Sequence, residues 1–321
     1  MEGPASGFTV TINNNAGGTI QGGGLTTAAI QTSADNDTVN NAGIINGLSS
    51  GRAINMGAGN NTLNITGGAA SILGDINGGT GGTNVLTIHP GAGNGFSYAG
   101  SISNFSNVEI KSGVVTLSGA NTYSGTTSVT GGTLVAAATG GSQALASTSS
   151  VGIASGGMMR LGASDQINNL ANLILNGGRF DLNNFSEGDA GTAGLGGLFL
   201  TATSTIDFGD LGDSANLLSF SSVGAHALGA LLEITDYDFG MDHFYFSGSD
   251  LNAFTSLYGQ TDVCFNGRCG YTVNSFDGFY ELTPLAALVP EPMTLSLLVF
   301  GLAGLGLSRR KRADSICRFP L

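Results

Sequence analysis

The chain has 321 residues, of which 54 are glycine and none tryptophan, and only 10% are charged. That leaves too few large side chains for a thick globular core, while a mean hydropathy of +0.20 argues against a disordered chain. Residues 1–288 carry 20 acidic and 5 basic side chains, a net of −15, which excludes a nucleic-acid interface because that needs a basic face. The remaining solution is an extended all-β architecture in which small residues stack and each layer buries a few aliphatic side chains.

Residues 1–7 have neither the basic n-region nor the apolar h-region of a secretory signal. The body opens in mid-repeat, and the expectation is a start that lies upstream. From Ala16 the sequence returns on itself at offsets of about 24 residues. Residues 16–22 come back as 42–47, and Ala29-Ile30 as Ala53-Ile54. Asp37-Thr38-Val39-Asn40 comes back as Asn61-Thr62-Leu63-Asn64 and again as Asn84-Val85-Leu86-Thr87. Each unit holds three short β-prone pieces between Gly or Asn turns. A strand of a few residues cannot bury its apolar face alone, so neighbouring units must stack. The period fits one turn of a right-handed parallel β-helix (β-solenoid), and residues 1–230 are assigned to such coils.

Residues 113–135 predict three strands, 114–117, 126–129 and 133–135, separated by an Asn-rich corner and a Gly-Gly corner. Alternation points Val115, Leu117, Val129 and Leu134 inward, with Tyr123 packing a corner. Asn121 is expected to bond its own backbone and tolerate the corner dihedrals, and Gly131 and Gly132 to allow positive φ. The stretch resembles the autotransporter-associated (passenger-associated transport) β-strand repeat. The match rests on Leu117, Gly119, Asn121, Thr122, Tyr123, Gly125, Thr127, Val129, Gly131, Gly132, Thr133 and Leu134. It covers one copy, centred on residues 113–136. The resemblance implies a β-helical surface protein and export, and no particular ligand.

Strands continue with larger inserts, as in residues 173–182, 198–200 and 204–208. Residues 231–288 are more aromatic and are expected to form a small C-terminal β cap module, with a short helix near 249–254. A solenoid needs such a module to hide its last open edge. Cys264 and Cys269 flank an Asn266-Gly267 turn. A disulfide, two free thiols or a metal site are all open there, and the disulfide suits an oxidising exterior.

The tail has three parts: Val289-Pro290-Glu291-Pro292, an uncharged apolar run, and Arg309-Arg310-Lys311-Arg312. The prolines exclude helix interior or central strand for the first part. The run, predicted as a transmembrane helix over 293–308, would extend about 24 Å against a hydrocarbon core of about 30 Å. Bilayer thinning and snorkelling arginines close that gap. The basic residues orient the helix, leaving a cytoplasmic tail at 313–321 that includes Cys317 and placing the body outside the cytoplasm. The order resembles the PEP-CTERM sorting signal over residues 289–312, and residues 234–290 resemble the end module that precedes it. The resemblance implies recognition by an exosortase, cleavage near Pro290-Glu291-Pro292, and release to the surface or extracellular matrix, where a polysaccharide partner is open.

Candidate chemistry is sparse. Residues 57–63 and 78–86 sit near the calcium-binding nonapeptide of β-rolls, but Asn61 and Asn84 stand at the carboxylate position; Asp35 and Asp37 keep the charge in the turn upstream. Asp207, Asp210 and Asp213 are closely spaced without a loop pattern. A polysaccharide-active β-helix enzyme would need carboxylates paired on one sheet face, and no pair is seen to recur at strand spacing on one ladder. Arg52, Lys111, Arg160 and Arg179 are the candidates for a basic catalyst. Residues 47–51 match Gly-x-Ser-x-Gly without the strand-to-helix context of a nucleophile elbow, so a repeat corner is expected. The three histidines, His89, His226 and His243, are scattered. No catalytic residue, metal ligand or cofactor is assigned, and the expectation is a non-enzymatic, exported structural or adhesin-like protein.

Overall fold

The computed structural model describes residues 7–189, 192–212, 215–247, 251–276 and 278–285. Its elements follow directly from the short alternating pieces. In Thr62–Thr66, for example, Leu63 and Ile65 point inward and Thr62, Asn64 and Thr66 outward, which is the period-two pattern of a strand with one buried face.

Successive coils stack in parallel, each adding one strand to a long first face. That face runs from Thr11–Asn14, Thr38–Asn41 and Thr62–Thr66 to Leu195–Ala202, Leu217–His226 and His243–Ser247. A second face begins as Thr19–Gln21, Ile44–Asn46 and Ser71–Leu73. It continues as a separate sheet from Gly95–Tyr98 through Val114–Leu117, Gly132–Ala136, Gly157–Leu161, Arg179–Asp181, Ser204–Asp207 and Leu232–Thr235 to Val263–Phe265. The third face starts as Ile30–Gln31, Arg52–Asn55, Asp75–Asn77 and Ile102–Ser103, then thins to single-residue bridges at Asn121, Leu145 and Ile167. The result is a parallel β-solenoid of about ten turns.

The register is the one the repeats predict. Ile20 pairs with Ile45, Ile30 with Ile54, and Val39 with Leu63 and then Leu86. In-register stacking places like on like, so the interior is built of columns. One column on the first face runs Val39, Leu63, Leu86, Val108, Thr127, Val151, Leu173 and Leu198. One on the second runs Phe96, Val115, Leu134, Met159, Phe180, Ile206, Ile234 and Phe265. The described members of both are buried.

Parallel pairing does not stop at residue 230, where the coils were expected to end; Val263–Phe265 still stacks in parallel on Leu232–Thr235. The stack ends by reversing direction. Phe279–Pro284 pairs antiparallel with His243–Ser247, Tyr271–Phe276 with Phe279–Pro284, and Arg268–Cys269 with Val263–Phe265. The described helix, Leu251–Leu257, overlaps the one expected near 249–254 and runs three residues further. Ring contacts link Phe208, Phe220, Phe244, Phe246, Phe254 and Tyr271 into the floor beneath this end. The sorting-signal residues Val289, Pro290, Glu291, Pro292, Arg309, Arg310, Lys311 and Arg312 and the helix expected at 293–308 lie outside the described residues. Among the described residues no helix is long and apolar enough to cross a membrane.

Leu134 fills a fully buried column while Val114, in the neighbouring strand of the same sheet, is 48% exposed. Leu134→Ala should therefore lower stability by about 3 kcal/mol, and Val114→Ala should stay within ~0.5 kcal/mol of wild type. Thermal and urea melts of the two variants check the contrast.

Candidate functional site

The best-formed local site is the coil around Asn121. Val115, Leu117, Val129 and Leu134 are buried, as alternation predicts. Thr127 is the exception to the aliphatic column, and the coil answers it with two hydroxyls. The Tyr123 hydroxyl lies 2.8 Å from Thr127 Oγ1, which lies 3.0 Å from Thr148 Oγ1, which in turn donates to the Gly125 carbonyl at 2.9 Å. Burial pushes the Tyr123 phenol above its ordinary range, so it stays protonated.

Asn121 does more than bond its own corner. It does not adopt positive φ. Its Oδ1 accepts from the Ile102 N–H of the coil before (2.9 Å), and its Nδ2 donates to Ala144 O of the coil after (2.7 Å) and to Gly119 O (3.2 Å). A buried amide supplies both an acceptor and donors, so it can replace a strand where the third face thins. The glycines divide by cause. Gly132 needs its φ of +72°, whereas Gly119 and Gly125 need close approach, since a Cβ would meet the Gly100 carbonyl and the Ser106 backbone. Gly131 does not take positive φ.

The same logic accounts for the calcium-like turns. Asp37 Oδ1 accepts from Val10 N–H, Asn61 Oδ1 from Asp37 N–H and Asn84 Oδ1 from Asn61 N–H, at 2.7, 2.9 and 2.9 Å. Asn61 Nδ2 donates to Ala58 O and Gly78 O, and Asn84 Nδ2 to Asn104 O. The corner needs an acceptor and a donor at once, which an amide supplies and a carboxylate does not. Where the ladder has Asp37, its buried Oδ2 has no hydrogen-bond partner among the described residues. Asp35 is engaged by Gly7 and Phe8 N–H. Among the described residues there is no group of three or more His, Cys, Asp or Glu side chains placed to hold a metal.

One expectation is corrected. A carboxylate pair does recur on one ladder: Asp181 and Asp207 are register partners in adjacent coils of the second sheet. The sequence signal is the repeated apolar-Asp-apolar pattern of Phe180-Asp181-Leu182 and Ile206-Asp207-Phe208. Arg160 Nε contacts Asp181 Oδ2 at 2.7 Å, and Arg179 pairs with Asp207. The other oxygen of each carboxylate accepts from its own turn, Asn183 N–H on Asp181 and Gly209 N–H on Asp207. Both carboxylates are thus neutralised and held. Asp210 lies on an exposed turn, and Asp213 lies outside the described residues. Residues 47–51 form a turn between Ile44–Asn46 and Arg52–Asn55, with Ser50 Oγ bonded to Gly47 O at 3.2 Å. Cys264 and Cys269 face each other as register partners and are joined by a disulfide.

Glu187 is a buried carboxyl that sequence reasoning did not single out. It caps the third face as Asn121 does, accepting from Gln166 and Ile167 N–H at 2.9 and 3.2 Å. Burial pushes its carboxyl well above the usual range. The two N–H groups oppose that shift, and Asp165 adds to it.

With this geometry in place, residues 112–136 match the family model of the passenger-associated-transport-repeat. No curated protein and no solved structure matches the chain. A parallel solenoid carrying that repeat fits a surface, passenger-like structural protein.

Two outcomes follow. Asn121→Ala strands the Ile102 N–H and the Ala144 carbonyl in the interior and should cost roughly 2 kcal/mol or more; hydrogen exchange at the Ile102 amide should rise before that of the flanking strands. For Glu187, the folded state holds the proton more tightly than the unfolded chain. Its contribution is therefore complete below about pH 4.5 and is lost as pH rises through the elevated folded value. Urea denaturation should show wild type losing stability relative to Glu187→Gln between pH 4.5 and neutrality, and parallel curves would refute the assignment.

Proposed function

We propose that this chain is an exported, non-enzymatic structural protein of the cell surface or extracellular matrix, adhesin-like in role and tethered during export by its C-terminal segment. The observation that carries the reading is the passenger-associated-transport repeat at 112–136, set into about ten parallel turns. The coil is taken as right-handed, the hand adopted by nearly all crossovers between parallel strands. The order Val289-Pro290-Glu291-Pro292, apolar run, Arg309-Arg310-Lys311-Arg312 supports processing by an exosortase after transient anchoring in the inner membrane.

The proposed partner is an extracellular polysaccharide. Outward rows of Thr11, Thr38 and Thr62 and of Asn13, Asn40 and Asn64 support it, because they present hydroxyls and amides without charge. Asn64 donates to Asn40, and Asn40 to Asn13, each at 2.8 Å, which holds the row in place. A neutral polymer suits this body better than an acidic one, because Lys111, Arg160 and Arg179 are committed to Glu109, Asp181 and Asp207. The same commitment of Asp181 and Asp207 supports a non-enzymatic role.

Cell fractionation with intact-mass measurement tests the reading. Wild type should be released with an end near Pro290, and Pro290→Ala or Glu291→Ala should accumulate as a longer membrane-bound form. Equal release of wild type and variants would overturn the anchoring. Polysaccharide cleavage by the purified protein that is lost in Asp207→Asn would overturn the non-enzymatic role.

A further inference from the structure

Two of the three histidines of the chain sit where the solenoid meets its C-terminal cap, and each ties the one to the other. His226 closes the long first-face strand Leu217–His226. Its side chain is only 6% exposed. Nδ1 lies 2.8 Å from the carbonyl oxygen of Leu257, the last residue of the cap helix, and Nε2 lies 2.8 Å from the Ala230 carbonyl. The imidazole stacks on Tyr258 with ring centres 4.5 Å apart. Asp262 Oδ2 stands 4.0 Å from Nδ1.

Both ring nitrogens therefore face acceptors that have no proton to give. A neutral imidazole has one donor and one acceptor nitrogen, so it satisfies one carbonyl and sets a lone pair against the other. An imidazolium donates to both, and Asp262 balances its charge. His243, in the last parallel strand His243–Ser247, makes a second tie of the same kind. Its Nδ1 lies 2.6 Å from Glu281 Oε1 in the capping strand Phe279–Pro284. Its ring stacks on Tyr245 at 5.3 Å. Glu281 is also felt by Tyr237 and Tyr245, and the adjacent Asp242 carboxylate is engaged by the Asn216 and Asp238 N–H groups. Protonation turns the His243–Glu281 contact into a charge-assisted pair. Because His243 is 38% exposed, solvent screening leaves His226 as the stronger tie.

We propose that His226 and His243 form a proton-dependent latch that holds the C-terminal cap on the last coils of the solenoid. The cap is closed when the imidazoles are charged and loosens when they give up that proton. Loosening acts on the helix Leu251–Leu257 and the strands Tyr271–Phe276 and Phe279–Pro284, around the buried rings of Phe254, Tyr258 and Tyr271.

Hydrogen exchange on the full chain at pH 5.5 and pH 8, corrected for intrinsic rates, tests this. The amides of residues 279–283 should lose about tenfold in protection at the higher pH, the factor that one lost hydrogen bond carries. Those of Thr62–Thr66 should not change. The double variant His226→Gln, His243→Gln should give the same cap protection at both pH values. Cap protection in wild type that does not depend on pH, or a dependence that survives in the double variant, overturns the latch. Nitrogen-15 spectra of the wild-type rings provide a second arm should the variant not fold. Both His226 nitrogens should carry protons at pH 5.5, and a neutral tautomer there overturns the proposal.

Discussion

Everything in this fold depends on parallel, in-register stacking of coils that cannot fold alone. A strand such as Ile30–Gln31 or Ile102–Ser103 buries one large side chain and forms few hydrogen bonds within its own coil. Its free energy comes from the coil above and the coil below. Stacking like on like turns each inward position into a continuous column, so a one-residue slip would turn the whole column outward. That constraint explains the composition. Wide columns of Leu, Ile and Val need corners tight enough to keep the register. Glycines such as Gly119 and Gly125 serve there because nothing larger fits against the previous backbone.

The corners carry the second half of the burden. A turn that dips into the interior leaves backbone N–H and C=O groups that no strand satisfies, and each would be costly if left bare. This chain answers with side-chain amides and carboxyls laid along the stack: Asn61 and Asn84 in one corner, Asn121, Gln166 and Glu187 in another. Residues that read as ligands in a sequence therefore serve as pieces of backbone. The carboxyls in these ladders are the strained members, since they accept well but cannot donate. Asp37 is left with an unpaired oxygen, and Glu187 is driven towards its protonated form by burial.

The part of the fold set by local pattern was legible in the sequence. The pairings Val39–Leu63–Leu86 and Ile30–Ile54 follow from the 24-residue returns, and the strands around Asn121 follow from alternation between glycine corners. What was not legible depends on groups a coil apart. Asp181 and Asp207 are 26 positions apart in the chain, and the loops between strands have irregular lengths there, so their alignment had no fixed period to reveal it. Asn121 was read as a local corner residue because its partners, Ile102 and Ala144, come from coils on either side. Glu187 gave no sign at all: a lone glutamate in a Gly-rich loop looks solvated until the coil stacks over it. The last parallel pair was hidden for a related reason, since aromatic content marks the end of the core without marking where parallel pairing stops.

The end of the stack obeys different rules from its middle. An interior coil is held on both sides, but the last coil is held on one, and its open strand edge invites pairing with other chains. Here the chain reverses into antiparallel pairing that takes up the edge of His243–Ser247, packs Phe254 of a short helix on Phe246, and closes the Val263–Phe265 and Arg268–Cys269 hairpin with a disulfide. In a solenoid each coil depends on its neighbour, so stability at the end is transmitted inward one interface at a time. A change in cap affinity therefore acts first on His243–Ser247 and Val263–Phe265, then on the coils beneath, and reaches Asn121 only after many intact interfaces. Two histidines lie at that seam, while the third, His89, lies in a strand paired on both sides, where both neighbours hold it in place.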